Sequence, residues 1–175
     1  MQAGWRELQL EEHDRRYYHE WSHEVPPMRH PIHRVELDLH HNILPPVART
    51  HVDADVLLSR LQRSKWPAWQ VLAPTDQVLH SAAHLFLDSE LRDRIRDLVD
   101  LDGLLRHFGA APGFYVQLLE RARELGLEEP LALASHFCVS WLGTPIPPEI
   151  QASIVAMGPG RMRRAWLVPL FEVVL

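Results

Sequence analysis

Apolar residues follow two different rhythms along this chain. Between Ile32 and His40 they alternate, with Val35, Leu37 and Leu39 set between Arg34, Glu36, Asp38 and His40. A period of two predicts a strand with one apolar and one polar face. Further on the rhythm changes. Leu91, Ile95, Leu98, Leu101, Leu105 and Phe108 recur at steps of three and four, which predicts a helix that Gly109 stops. The same pattern predicts helices over 114–125, closed by Gly126, and over 131–142, closed by Gly143. Further helical stretches are expected over 54–63 with Asp53 as N-cap, over 76–88 with Thr75 as cap, over 149–157 and over 161–175. Residues 69–72 are the one exception to helix after residue 47.

The front of the chain reads differently. Residues 5–20 are polar and mixed in charge and predict a short helix. Val25-Pro-Pro-Met28 is unfit for a helix interior, because proline lacks the amide donor and clashes with the preceding turn. It reads as an extended edge segment, and His30-Pro31 as the link between two antiparallel strands. The fold class is therefore α+β and mostly helical, a small antiparallel β element near the N-terminus followed by a helical array. The expected division is a β lobe over 1–46 and a helical domain over 47–175.

Composition narrows the class. In 175 residues, 46% are hydrophobic and 23% charged, enough for a real core and against wholesale disorder. The net charge of -5 argues against general nucleic-acid binding, though it allows a local basic patch, for example Arg161, Arg163 and Arg164. No apolar run reaches the ~20 residues that a membrane span needs, and the start has no apolar signal core. The single cysteine, Cys138, excludes an internal disulfide and reads as a buried packing residue. These features together point to a cytoplasmic protein. The terminal Val-Val-Leu175 has no polar tail, which suggests a chain cut short.

Three constellations can carry chemistry. The polar strand face sets Arg34, Glu36, Asp38 and His40 on one side. Two carboxylates spaced in this way can share a divalent cation, although a solvated strand face gives the same pattern. The second is the helix stripe Asp76, His80, His84 and Asp88, each four residues from the next. His80 and His84 can ligate Zn²⁺ with Asp97 or Asp100 as a third ligand. A buried hydrogen-bonded pair between His84 and one of those aspartates, joining two helices, is the structural alternative, and substrate contact is a third reading. The third is Arg92-Asp-Arg-Ile-Arg-Asp97, where Arg92 and Arg96 either contact phosphate or belong to an exposed salt-bridged face.

Several of these stretches resemble one family. Val35-Glu-Leu-Asp-Leu-His40 resembles an acid-x-His strand of the uncharacterised nucleotidyltransferases, which carry a minimal polymerase-β-like core followed by a helical region. Leu72-Ala-Pro-Thr-Asp-Gln-Val-Leu-His80 with Ala83-His84-Leu85 resembles the family's first long helix. Leu91 to Leu105 resembles its Asp-Leu helix, and Arg123-Glu-Leu-Gly126 and Leu142-Gly-Thr-Pro145 fit later segments. The resemblance runs from about residue 4 to the end.

The resemblance implies Mg²⁺-dependent transfer of a nucleotidyl group from a nucleoside triphosphate to an acceptor. In such folds a Gly-Ser turn holds the triphosphate, an acid-x-acid strand binds two Mg²⁺ ions, and a third acid on a neighbouring strand completes the set. Asp38 matches the third acid best and Glu36 is the second choice. His40, Arg34, Arg92 and Arg96 are the substrate-contacting candidates. The Gly-Ser turn and acid-x-acid strand belong ahead of residue 4, so the expectation is an incomplete, inactive member of the family. A non-catalytic helical interaction module and a metal-dependent hydrolase built on His80, His84, Asp97 and Asp100 are the competing readings.

Overall fold

The computed structural model describes residues 4–87 and 94–175. The chain divides into two compact units, the first ending at Ala54 and the second beginning at Asp55. The architecture is α+β and mostly helical, as the periodicities imply.

The first unit holds a three-stranded antiparallel sheet and one helix. The strands are β1 (Arg6–Glu7), β2 (Met28–Arg29) and β3 (Glu36–Leu37), in spatial order β1-β2-β3. Helix α1 (Glu12–Glu20) lies between β1 and β2 in sequence. The helix expected over 5–20 is thus a strand followed by a shorter helix. Met28 pairs with Glu7 on one side and Leu37 on the other, so the segment after Pro26-Pro27 is central, not an edge. It tolerates the two prolines because the ladder there uses other groups. The Leu8 amide donates to the Pro27 carbonyl, and the Val25 amide donates to the Leu39 carbonyl. Neither bond asks proline for a donor.

The alternating run is a shorter strand than its pattern suggests, and residues 31–40 are all exposed. Val35, Leu37 and Leu39 do not bury a face. Among the described residues of this unit, Ser22, Met28, His30, Leu44 and Val52 are buried.

The boundary falls at the first residue of α2 (Ala54–Leu58), and the second unit continues with the hairpin β4 (Gln62–Arg63) with β5 (Gln70–Val71). The expected helix over 54–63 therefore stops at residue 58. Six helices follow: α3 (Pro74–Leu87), α4 (Ile95–Gly109), α5 (Phe114–Leu125), α6 (Glu128–Leu142), α7 (Pro148–Met157) and α8 (Arg161–Val174). Helix α3 starts one residue before the expected cap. Pro74 opens it, which suits a residue with a fixed φ and no amide hydrogen, and Thr75 is buried in the first turn.

Helix α3 packs against α4, α5 and α6, and α6 also against α7. Leu79, Leu85, Leu98, Leu101, Leu105, Leu118, Leu131 and Phe137 are fully buried between them. Each such side chain contributes about 1.5–3 kcal/mol relative to exposure. Phe86 stacks on Phe137 at 5.9 Å and meets Phe171 edge-on at 4.9 Å, which ties α8 to the core. Gly126 and Gly143 close α5 and α6 with φ of 66° and 63°, a region open to glycine at little cost.

Candidate functional site

The β2–β3 hairpin positions the carboxylates. Its turn is organised by His30, whose backbone amide donates to the Val35 carbonyl and whose Nδ1 accepts from the amides of Ile32 and His33. Arg34 sits in this turn with a φ of 52°, so it is not a member of the strand face. That corrects its expected place beside Glu36, Asp38 and His40.

Beyond the turn, Arg29 faces Glu36 across the ladder, and Arg29 Nη2 donates to Glu36 Oε1 at 2.7 Å. Met28 faces Leu37, yet Glu24 faces His40. Four residues on one strand thus span three on the other, so the register slips by one across Pro26-Pro27. A slip of one residue reverses which side a side chain takes. It brings Glu24 onto the side of His40, with Glu24 Oε1 3.6 Å from His40 Nε2 and 4.0 Å from His23 Nε2. The His23 and His40 rings meet edge-on at 5.0 Å.

Asp38 lies between Glu36 and His40 and is exposed. Tyr18 of α1 is half-buried close by. Burial, then the charges of Glu24 and Asp38, push its phenol pKa above the usual value. Asp38, Glu36 and His40 therefore share one exposed stretch, and Glu36 is already engaged by Arg29.

The residues proposed on the helices have other surroundings. Asp76 is fully buried at the start of α3. Arg121 of α5, also buried, donates to its two oxygens at 2.6 and 2.8 Å and to the Val56 carbonyl at 3.0 Å. Arg121 Nη1 is 2.9 Å from Glu124 Oε2, an ion pair without hydrogen-bond alignment. The bond to Asp76 raises the Arg121 pKa, while Arg121 lowers that of Glu124. The sequence carries a signal for this pair: Arg121 stands at an apolar position of α5, between Leu118 and Leu125.

His80 and His84 lie on α3 with rings stacked at 6.3 Å. Arg94 Nη1 is 2.9 Å from His84 Nε2 and 3.2 Å from Asp97 Oδ2, so the link between His84 and Asp97 runs through a guanidinium. Asp100 and Arg96 are exposed on α4. Asp88 and Arg92 lie outside the described residues. Among the described residues, the three-member group with ligand atoms mutually within 4.8 Å is His23, Glu24 and His40.

Cys138 is fully buried on α6, its thiol against the Leu98 carbonyl, and burial pushes its pKa up to about 12. A thiol so hard to ionise is a packing group. Near it, Thr144 bonds Asp102, which Arg106 grips at 2.8 and 2.9 Å, and Arg106 also donates to the Leu142 carbonyl. This network satisfies the end of α6.

The helical unit also holds a cavity of about 700 Å³ between α6, α7 and α8, lined by His136, Val155, Pro159, Arg161, Arg164 and Val168 among others. Arg164 Nη2 is 3.2 Å from His136 Nδ1. Burial, then the charge of Arg164, lowers the His136 pKa. Arg163 pairs instead with Glu129, so the three arginines of the basic patch have different neighbours.

An exposed acid-x-His stretch thus follows β3 directly, with a helical array after it. The family model for uncharacterised nucleotidyltransferases matches residues 1–143. The chain belongs to this family. The matched span reaches the end of α6, whereas the sequence resemblance was expected to run to the last residue; α7 and α8 lie after it. No curated protein and no solved structure matches the chain. Among the described residues, no helix is long and apolar enough to cross a membrane.

Proposed function

We propose that the chain serves Mg²⁺-dependent transfer of a nucleotidyl group from a nucleoside triphosphate to an acceptor, with Asp38 as the third-strand carboxylate. The observation that carries this is the exposed placement of Asp38 directly after β3 and two residues before His40, in a chain of nucleotidyltransferase ancestry. Mg²⁺ would polarise the phosphate and neutralise charge developing on it. Asp38 can offer it oxygen ligands. Glu36 offers fewer, since Arg29 holds one of its oxygens.

Mg²⁺ demands near-octahedral oxygen coordination, and one carboxylate meets only part of that demand. The 175 residues contain no Gly-Ser pair. In this reading, the triphosphate-holding turn and the acid-x-acid strand are needed in addition to these residues. The unaided chain is then inactive, and its setting is cytoplasmic.

The test is transfer of label from an α-labelled nucleoside triphosphate in the presence of Mg²⁺. Residues 1–175 alone should show none. With a Gly-Ser and acid-x-acid segment joined ahead of them, transfer should appear and Asp38→Asn should lower it by about 100-fold or more, ~3 kcal/mol. Unchanged transfer in Asp38→Asn would refute the role.

A second reading rests on the cavity between α6, α7 and α8. At about 700 Å³ it is the size of a small-molecule site. The helical unit would then act by binding, without catalysis. Specific ligand binding that Val155→Trp blocks would favour this reading.

A further inference from the structure

We propose that His23, Glu24 and His40 form a binding site for a divalent transition-metal ion of the Zn²⁺ class. It is a different site from the carboxylate position at Asp38 and does not depend on the nucleotidyl-transfer reading.

Three observations carry this. The first is the donor set. Two imidazole nitrogens and one carboxylate oxygen lie within 4.8 Å of one another, close enough to converge on a single ion. Zn–N distances of about 2.0–2.1 Å and Zn–O distances of about 2.0–2.2 Å set tetrahedral ligand atoms about 3.3–3.5 Å apart, so rotation of these side chains must draw the atoms together by up to about 1.5 Å. Two nitrogens and one oxygen suit Zn²⁺ or Co²⁺ and do not suit Mg²⁺, which prefers oxygen alone.

The second is the backbone. Glu24 and His40 are directly opposite across the ladder. Flanking bonds run from the Val25 amide to the Leu39 carbonyl and from the His41 amide to the His23 carbonyl, both at 2.9 Å. The Glu24 amide donates to the hydroxyl of buried Ser22 at 3.1 Å. The backbone of His23 and Glu24, and of the residues on both sides of His40, is therefore fixed by hydrogen bonds at the site, which lowers the ordering cost of binding.

The third is the register slip at Pro26-Pro27. A regular ladder continued from Met28 and Leu37 would turn Glu24 to the other side. The slip puts it with His40. His23 and Glu24 are adjacent and diverge along an extended chain, yet His23 Nε2 stays within 4.0 Å of the carboxylate. Three protein ligands leave a fourth position of a tetrahedral ion for water or a phosphate oxygen.

The experiment is titration of the purified chain with Zn²⁺ against a chromogenic chelator, and with Co²⁺ followed by visible absorption. The expected result is one ion per chain, a Co²⁺ spectrum of tetrahedral or five-coordinate intensity, and no competition from excess Mg²⁺. His23→Gln and His40→Gln should each weaken binding at least ~10-fold, while His41→Gln should stay near wild type. Circular dichroism checks that the variants fold. Thermal unfolding gives a second readout: Zn²⁺ should raise the midpoint of the wild type and not of the doubly substituted chain. The proposal is overturned if no one-to-one complex forms, if both glutamine variants bind like wild type, or if only His80→Gln and His84→Gln lose the ion.

Discussion

The two units of this protein treat charge in opposite ways. In the helical unit, the carboxylate at the heart of the packing, Asp76, is enclosed and gripped by a buried arginine, and Asp102 is held by Arg106 and Thr144. In the first unit, Asp38, Glu36 and His40 lie on an exposed stretch over short strands. Burial makes a charge structural, because leaving it unpaired costs so much that its partners must be permanent. Exposure leaves a charge available to a ligand. Among the described helical candidates only Asp76 is enclosed in this way; His84 and Asp100 are exposed, and His84 meets the Arg94 guanidinium at 2.9 Å.

The comparison breaks most visibly at Asp76. Asp76→Ala leaves the Arg121 guanidinium buried without its main partner. It should cost about 3–5 kcal/mol of stability in chemical denaturation. Replacing both residues together, as Asp76→Leu with Arg121→Met, should recover part of that loss. A cost below about 1 kcal/mol for the single change would show that the pair is not a structural centre.

Thr144→Val tests the smaller network at the end of α6. The hydroxyl has one hydrogen and two acceptors in reach, Asp102 and the Cys138 carbonyl. The bond to the carboxylate is the stronger. Its loss should cost about 1–3 kcal/mol, read as a lower denaturation midpoint at unchanged slope.

His136 sharpens the comparison through pH. Its folded pKa is lowered, first by burial and then by Arg164, so the unfolded chain binds the proton more readily. Stability contributed by the neutral imidazole is full above the unfolded value, about 6.5, and is lost as pH falls through it towards the folded value. The slope of stability against pH just below 6.5 should be positive, and His136→Gln should reduce it. An unchanged slope would place its origin elsewhere.

The smallest effects are expected in the first unit. Glu36→Gln removes an exposed ion pair and should cost at most ~1 kcal/mol. Asp38→Asn should change stability by no more than ~0.5 kcal/mol. If Asp38→Asn were strongly destabilising, the carboxylate would be structural and the contrast between the units would fail.

The helices were legible in sequence because two independent signals agreed. Apolar steps of three and four marked their faces, and Gly109, Gly126 and Gly143 marked their ends. Helix α5 falls on 114–125 as its pattern implies. The short strands were less legible. A two-residue strand gives too little alternation to fix its length, and Arg34 fell in a turn although it fits the period.

Arg121 was missed because a cation among Arg, Glu and Leu reads as surface. Its place in the apolar stripe of α5, and Asp76 beside fully buried Leu79, were the available clues. His23 and Glu24 were missed for another reason. Their approach to His40 depends on pairing sixteen residues apart and on a register slip, neither of which has a local periodicity.

The claim that metal chemistry belongs to the first unit can be tested on the chain itself. Mn²⁺ is titrated into isotopically labelled protein and the broadening of amide resonances is mapped. The account expects early broadening around residues 23–24 and 36–40, with His80, His84, Asp97 and Asp100 little affected. Early broadening at those four helical residues, with the strand stretch left sharp, would contradict it.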